Sequence, residues 1–163
     1  MIVIVSVTMS CTKKDSADKN LLPGRCRISC TINGDVSLSF HSDDAYSFSA
    51  YNSVSMVLEP EIRNISTGNR EHISLLVPVN IKTDTYLLSD AGAPAISFSF
   101  TKDNIYSGVG KTWSATVGNN ITFVITKASY TELEGTFSGT AISGTDSTEV
   151  TITNGKFYAI FSH

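Results

Sequence analysis

Carboxylate groups are candidate functional groups in this sequence for two reasons. Paired carboxylates can catalyse acid–base reactions, and clusters of oxygen atoms can bind hard cations. Glu132 and Glu134 flank Leu133, and on a strand they would share one face about 7 Å apart, a spacing compatible with glycosidases. The alternative is a solvated strand face. His41–Asp44 could bind a cation or could form a loop between strands, since Asp and Ser favour turns. We favour the structural interpretation of both groups and predict no catalytic residue and no metal site.

Two sequence motifs for nucleophiles and phosphates are incomplete. The pattern Gly-x-Ser-x-Gly does not occur. Gly108–Lys111 reads Gly-Val-Gly-Lys, but it lacks the spacing of a phosphate-binding loop and no helical pattern follows it. A triad assembled from distant residues stays open, because triads form in space and not in sequence. We expect no cofactor.

Cys26 and Cys30 lie four residues apart in a segment with the composition of a strand. On a regular strand they would share a face but lie roughly 13 Å apart. A disulfide needs α-carbons within about 7 Å, so a bridge between them would require a bulge or turn at Arg27-Ile28. No histidine or further cysteine stands at ligand spacing. We therefore predict two half-buried thiols that do not bridge each other.

Aromatic residues could form a platform for a carbohydrate ligand. Tyrosine favours β-strands, so most tyrosines of the chain are expected in the core or at its rim. Tyr106 and Trp113 flank the flexible segment Ser107–Lys111. We therefore predict that these two residues form an exposed aromatic pair that could contact a ligand.

The segments that must position these residues are dominated by alternation of apolar and polar side chains, which is typical of half-buried strands. Val36–Phe40 and Ile96–Phe100 show it clearly, and Asn33-Gly34 and Asn154-Gly155 are hairpin signals between such runs. About ten strands and no convincing helix predict an all-β fold, either an antiparallel β-sandwich or an open barrel. The predicted core contains Val36, Leu38, Phe40, Phe98, Phe100, Phe123, Ile152 and Phe157.

The first eleven residues raise a different kind of chemistry. An apolar run from Met1 ends in Thr8-Met9-Ser10 before Cys11, and this resembles a bacterial lipoprotein signal. The resemblance implies cleavage before Cys11 and acylation of its thiol, with two or three chains holding the protein on a membrane. A buried first strand is the alternative. We predict a signal peptide remnant at 1–10, a lipidated cysteine and tether at 11–24, and one β domain at 25–163.

Composition narrows the partners. The 163 residues carry a formal net charge of -3 and no basic patch, so nucleic acid is not an expected partner. Removal of residues 1–10 would leave one ordinary domain. The expected partners are a membrane, reached through the lipid anchor, and a protein or carbohydrate ligand.

Four short motifs occur in an order that resembles a family of small Bacteroidota lipoproteins of unknown function. They are Thr31–Gly34, Asp84–Leu87, Gly135–Phe137 and Thr153–Phe157, and the resemblance covers residues 28 to 161. It implies a β-sandwich-like domain held at the outer membrane, facing the periplasm or the cell surface. In the resembled group, an aspartate before Ser-Ala or Ser-Thr is an O-glycosylation pattern, so Ser16 and Ser147 are candidate O-glycosylation sites. The alternative is that both are ordinary polar turn residues.

The resulting functional expectation is a tethered binding or interaction module of unknown ligand. A role without catalysis is favoured over an enzymatic one. Three alternatives stay open: a structural subunit of a fimbrial-type surface assembly, a hydrolase, and a carrier of small lipids. The structural subunit requires exposed strand edges that pair with a neighbour. The hydrolase requires a polar pocket with a coupled base and nucleophile, and the carrier requires a dry cavity.

Overall fold

The computed structural model of the protein describes residues 21–43, 49–52, 54–116 and 118–162. Cys11, Ser16 and the predicted tether up to residue 20 lie outside these residues. The described part of the chain forms twelve strands and contains no helix. The strands are β1 (Arg25–Gly34), β2 (Leu38–Asp43), β3 (Ser49–Tyr51), β4 (Ser55–Leu58), β5 (Glu61–Asn64), β6 (Asn69–Pro78), β7 (Asp84–Leu87), β8 (Ser97–Asn104), β9 (Val109–Ala115), β10 (Ile121–Ala128), β11 (Glu132–Ser143) and β12 (Glu149–Ile160).

All twelve strands belong to one curled antiparallel sheet that forms a half-barrel. The main path runs β2-β1-β12-β11-β9-β8-β6-β4-β3. Two branches leave it: β10 pairs with β11 and carries β7, and β5 pairs with β6. The prediction of an all-β fold with an open barrel as one of its forms is confirmed, with twelve strands where about ten were expected.

The alternation in the sequence becomes an inside and an outside face of the sheet. In β1 every second residue is buried, from Cys26 to Ile32, while the residues between them are half-buried on the outer face. The core lies inside the curl. Of the eight predicted core residues, Phe40, Phe98, Phe100, Phe123, Ile152 and Phe157 are buried, and Val36 and Leu38 are partly buried against them.

The prediction that Asn154-Gly155 joins two final strands is wrong. Both residues lie inside the single long strand β12, at a β-bulge. Ser29 pairs with Lys156 and Thr31 pairs with Thr153, so Asn154 and Gly155 together face one residue of β1. Asn154 has a φ of 55°. An Asn-Gly pair tolerates the left-handed backbone that both tight turns and bulges require, so this signal does not distinguish them.

Two glycines of the central strands lie beneath phenylalanine rings in a reciprocal arrangement. Gly135 of β11 pairs with Phe157 of β12, and Phe137 of β11 pairs with Gly155 of β12. A Cβ atom on Gly135 would stand 2.5 Å from Cζ of Phe157, and one on Gly155 would stand 2.7 Å from Cγ of Phe137. Both glycines are therefore needed because each leaves room for a ring from the neighbouring strand.

Cys26 and Cys30 point into the core from the same face of β1. No disulfide joins them, as the strand geometry predicts. They are more buried than the predicted half-buried state, at 0% and 3% exposure. Burial raises the pKa of the Cys30 thiol to about 12. Because the thiolate is the reactive form, Cys30 is expected to be chemically inert.

Candidate functional site

The half-barrel has two ends, which can be assigned from the register of the paired strands. The turn end carries four connections between paired strands, at residues 35–37, 65–68, 105–108 and 144–148. The base is the opposite end, where residues 21–24 lead into β1 and residues 129–131 join β10 to β11. At the base the amide of Gly24 donates to the carbonyl of Ile160 at 2.8 Å. The described chain therefore enters the sheet at one end and presents its clustered turns at the other.

Two of the turns share one construction. The turn Asn64–Gly68 reads Asn-Ile-Ser-Thr-Gly, and the turn Asn104–Gly108 reads Asn-Ile-Tyr-Ser-Gly. In each, the glycine amide donates to the carbonyl of the asparagine at 2.8 Å, and the asparagine Oδ1 accepts from the amide of the fourth residue at 3.1 Å. The glycines have φ values of 74° and 68°. A short polar acceptor followed by a left-handed glycine thus builds the same turn twice.

The turn that joins β11 to β12 repeats the construction with different residues. The amide of Ser147 donates to the carbonyl of Ser143 at 2.9 Å, and the Ser143 Oγ accepts from the amide of Thr145 at 3.3 Å. Ser147 takes the left-handed position, with a φ of 59°. It is exposed, as predicted from its place in a loop, and its glycosylation stays a prediction. A residue with a Cβ atom in this position carries backbone strain that glycine would not.

The two asparagine turns are bonded to each other. The Asn104 Nδ2 donates to the carbonyl of Thr67 at 2.8 Å, and the amide of Ile105 donates to the carbonyl of Gly68 at 2.8 Å. The Tyr106 hydroxyl donates to the carbonyl of Ile65 at 2.5 Å. These hydrogen bonds hold the β5–β6 and β8–β9 turns side by side.

The predicted exposed pair of Tyr106 and Trp113 is only half right. Tyr106 is 66% exposed, but Trp113 is 1% exposed. The alternation of β9 points Trp113 inward, where its ring stacks on Phe100 at a centroid distance of 5.6 Å. The Lys111 ammonium stands over the tryptophan ring, 5.1 Å from its centroid. The expectation that Trp113 is exposed is therefore wrong, and Tyr106 alone presents its ring to solvent.

An open depression of about 540 Å³, here called the mouth, lies inside the half-barrel at the turn end. Trp113 contributes to its floor, and Val36 and Val109 supply further apolar surface. The mouths of β-barrels are frequent ligand sites. The polar side chains of the mouth used in the argument below are Asp35, Asn69, Lys102, Asp103, Asn104 and Lys111.

Lys111 ties three parts of the turn end together. Its Nζ lies 2.6 Å from the Asp35 Oδ2 in the β1–β2 connection and 2.6 Å from the Asp146 Oδ2 in the β11–β12 turn. Hydrogen bonds to Asp146 and Asp35 raise the pKa of Lys111. The bond from Lys111 holds the pKa of Asp146 well below its usual range, with help from Thr148. The Trp113 Nε1 donates to the Thr148 Oγ1 at 3.3 Å, which joins the floor to the same network.

The other charged groups of the mouth are also paired. Arg70 grips Asp103 with two nitrogens, and its Nε donates to the Asp103 Oδ1 at 2.9 Å. This hydrogen bond lowers the pKa of Asp103 and raises that of Arg70. Lys102 lies 3.8 Å from Glu71. Each of the four charged side chains that line the mouth thus has a partner of opposite charge, and the mouth is electrically balanced.

The candidate glycosidase pair lies elsewhere, on the outer face of β11. Glu132 accepts a hydrogen bond from Tyr158 at 3.1 Å and a short one from Lys127. The Lys127 bond lowers the pKa of Glu132. A general acid needs a raised pKa, whereas the pKa of Glu132 is lowered. Glu132 is therefore not suited to the role of a general acid.

The cluster that begins at His41 is a strand and not the expected loop. His41–Asp43 belong to β2, where the His41 Nε2 lies 3.5 Å from the Asp43 Oδ2, and Asp44 lies outside the described residues. Over the ranges that the structure describes, no group of three His, Cys, Asp or Glu side chains could hold a metal ion. In the same ranges, no helix has the length and apolar character needed to cross a bilayer.

The ion pairs of the mouth were missed by sequence reasoning because the paired residues are far apart in the sequence. Lys111 is 76 residues from Asp35 and 35 residues from Asp146. The detectable signal was the repeated Asn-Ile-x-Ser/Thr-Gly pattern at Asn64–Gly68 and Asn104–Gly108, which marks matching turns. Compared with known proteins, the chain matches no family model, no curated protein and no solved structure.

Proposed function

We propose that the protein is a membrane-anchored bacterial lipoprotein, and that its β domain is an extracytoplasmic binding module whose ligand site is the mouth. The apolar run before Cys11 supports the anchor, because it has the character of a lipoprotein signal. Acyl chains on Cys11 would each add about 0.8 kcal/mol of membrane affinity per buried methylene, so two or three chains would hold the domain stably.

The observation that carries this proposal is the opposition of the base and the turn end. The described chain enters at Leu21–Gly24, and β1 then runs ten residues, roughly 30 Å, toward the turn end. A domain tethered through Cys11 would direct its base toward the membrane and its mouth away from it. This orientation suits capture of a ligand from the periplasm or from outside the cell.

We further propose kinship with small Bacteroidota lipoproteins, based on the order of the four motifs in the sequence. Thr31–Gly34 ends β1 at the turn end, and Asp84–Leu87 forms β7. Gly135–Phe137 and Thr153–Phe157 supply the two reciprocal glycine–phenylalanine pairs between β11 and β12.

Fatty-acid labelling of the protein in a bacterial host tests the anchor. The full chain, produced with its leader and fed an alkyne-bearing fatty acid, should carry the label at Cys11 and sediment with membranes. A Cys11→Ser variant should lose both the label and the sedimentation. The matched control is Cys30→Ala, which removes a buried thiol and should label like the unaltered protein. Equal labelling of Cys11→Ser, or no label on the unaltered chain, would refute the anchor.

A further inference from the structure

The charge balance of the mouth excludes several ligand classes. An anion would need a cation without a partner, but Lys102 pairs with Glu71, and Lys111 is held between Asp35 and Asp146. A divalent cation needs several oxygen ligands, and the described residues provide no suitable group of three. A wholly apolar ligand would remove water from the hydrogen-bonding positions that these ion pairs leave open, at a cost of about 1–3 kcal/mol for each group left unsatisfied.

The paired groups keep hydrogen-bonding capacity for a ligand that is neutral and rich in hydroxyls. A carboxylate can accept about four hydrogen bonds, and an ammonium can donate three. The Asp35 Oδ2 accepts from Lys111 and, at 3.3 Å, from Thr148, and no hydrogen bond to its Oδ1 is found within the described residues. Asn69 adds an amide to the same surface. A hydroxyl group both donates and accepts, so it can bind a carboxylate and an ammonium at once.

Tyr106 supplies an exposed aromatic surface beside the mouth, with its ring against Gly68 and outside the residues that line the depression. It belongs to the same turn as Ser107, which lines the mouth, and its hydroxyl is tied to the carbonyl of Ile65. The ring is therefore both exposed and held in place before a ligand arrives. Such preorganisation lowers the entropic cost of binding. The apolar C–H face of a sugar ring matches an exposed aromatic face, while its hydroxyls match the polar lining.

From this combination we propose that the mouth binds a short neutral oligosaccharide, with one sugar against the Tyr106 ring and its neighbours hydrogen-bonded to Asp35, Asn69 and Lys102. The volume of about 540 Å³ falls within the usual range of ligand pockets. This assignment rests on the proposed function, because it names the ligand class of the same site. Lys111 keeps its two carboxylates in the bound state and acts as a positioning residue.

Trp113 provides the readout, because it is the single tryptophan of the chain and lies at the floor of the mouth. The full chain with Cys11→Ser should be titrated with neutral trisaccharides of glucose, galactose, mannose and xylose, to about 10 mM. We expect at least one of them to change the Trp113 fluorescence in a saturable way. Saturation-transfer NMR on the same samples reports binding that leaves the fluorescence unchanged.

Matched variants locate the binding. Tyr106→Ala and Lys102→Met should each weaken the affinity about fivefold or more, because each removes one ligand contact. Tyr130→Ala and Lys82→Met remove an exposed tyrosine and an exposed lysine outside the mouth and should leave the affinity unchanged. Circular dichroism of all four variants checks that the fold is retained.

Three results would overturn the saccharide assignment. The first is no binding of any of the four trisaccharides by either method. The second is binding of a matched anionic sugar, trigalacturonate, with no neutral counterpart. The third is equal affinity in all four variants. Fatty-acid labelling of Cys11 is read independently, so a labelled protein that fails these titrations would lose the ligand class and keep the anchor.

Discussion

The turn end and the base both expose apolar side chains, but different interactions connect the residues at each end. At the turn end Ile65, Tyr106 and Val109 are 66%, 66% and 73% exposed, beside a network of hydrogen bonds and ion pairs that joins separate turns. At the base Tyr130 is 58% exposed, and its ring contacts Tyr51 at a centroid distance of 4.5 Å.

The two kinds of interaction differ in how strongly they depend on direction. Hydrogen bonds and forked ion pairs fix angles as well as distances, so they can hold a concave surface open for a ligand. Ring packing tolerates more variation in geometry. At the base Tyr51 also contacts Phe161 at a centroid distance of 6.1 Å, so aromatic rings pack together near the point where the chain enters the sheet. The turn end therefore presents a polar network around an open depression, whereas the base presents contacts between aromatic rings.

The largest expected effect belongs to the core that both ends share. Phe100 is fully buried and stacks on Trp113. Phe100→Ala should lower the free energy of unfolding by about 3–5 kcal/mol, since it removes a large side chain and leaves a cavity. Urea unfolding measures the change. Tyr130→Ala at the base is the comparison and should cost much less, because its ring is more than half exposed. A similar loss in both variants would contradict the division into core and base.

A smaller loss is expected where glycine meets a ring between the two ends. Gly135→Ala should destabilise the protein by about 1–3 kcal/mol, because the new methyl group would overlap Phe157 and the β10 backbone. Gly144→Ala at the turn end is the control, since a Cβ atom there has no neighbour within 4 Å. The two variants can be ranked by thermal unfolding. If Gly144→Ala proved the more harmful, the reciprocal packing of glycine and phenylalanine would be refuted.

The shared turn construction predicts changes of opposite sign at two equivalent positions. Ser147→Gly should stabilise the protein by about 0.5–1 kcal/mol, because glycine adopts a φ of 59° without steric strain. Gly108→Ala should destabilise it by about 1 kcal/mol, because its φ of 68° is unfavourable for alanine. Chemical denaturation of both variants provides the measurement. Equal signs would mean that the β8–β9 and β11–β12 turns are not equivalent.

The smallest effect, and the one specific to the turn end, concerns acid. The lowered pKa of Asp146 means that its ion pair with Lys111 contributes stability above the carboxylate's unfolded pKa. That contribution is lost as pH falls through the folded pKa. Lys111→Met should therefore lower stability at neutral pH and flatten the decline below about pH 4. Lys82→Met should keep the unaltered pH profile. Parallel profiles for Lys111→Met and the unaltered protein would show that the pair contributes nothing.

Most strands of the fold could be predicted from the sequence, because the alternation of buried and exposed residues along a strand is a local pattern. Alternation identified the strands around Phe40, Phe98 and Phe100 and placed their side chains inside, and the structure confirms this. The hairpin predicted at Asn33-Gly34 exists between β1 and β2, but both residues belong to the end of β1 and the connection itself lies at residues 35–37. Asn154-Gly155 was misread as a hairpin because a left-handed backbone serves turns and bulges alike. Which of the two occurs depends on the neighbouring strands, and that information is not local.

The candidate site could be predicted only in part from the sequence, because its contacts also depend on residues that are distant in the sequence. Tyr106 could be found, because an aromatic residue in a polar turn is expected to be exposed. Trp113 was misplaced because the extent of β9 was unknown, and a strand that includes Lys111 turns the tryptophan inward. The Asp35–Lys111–Asp146 network depends on two connections and strand β9, which meet only when the sheet curls.

The central claim is that the mouth and the anchor lie at opposite ends, and site-specific fluorescence quenching in vesicles tests it most directly. Ser66→Cys at the turn end and Thr131→Cys at the base, both exposed positions, would each carry a thiol-reactive dye on the acylated protein. The buried Cys26 and Cys30 should not react, and the raised pKa of Cys30 further protects it. With nitroxide-bearing lipids in the vesicles, the account predicts strong quenching of the dye at residue 131 and little at residue 66. Equal quenching at both positions, or stronger quenching at residue 66, would contradict it.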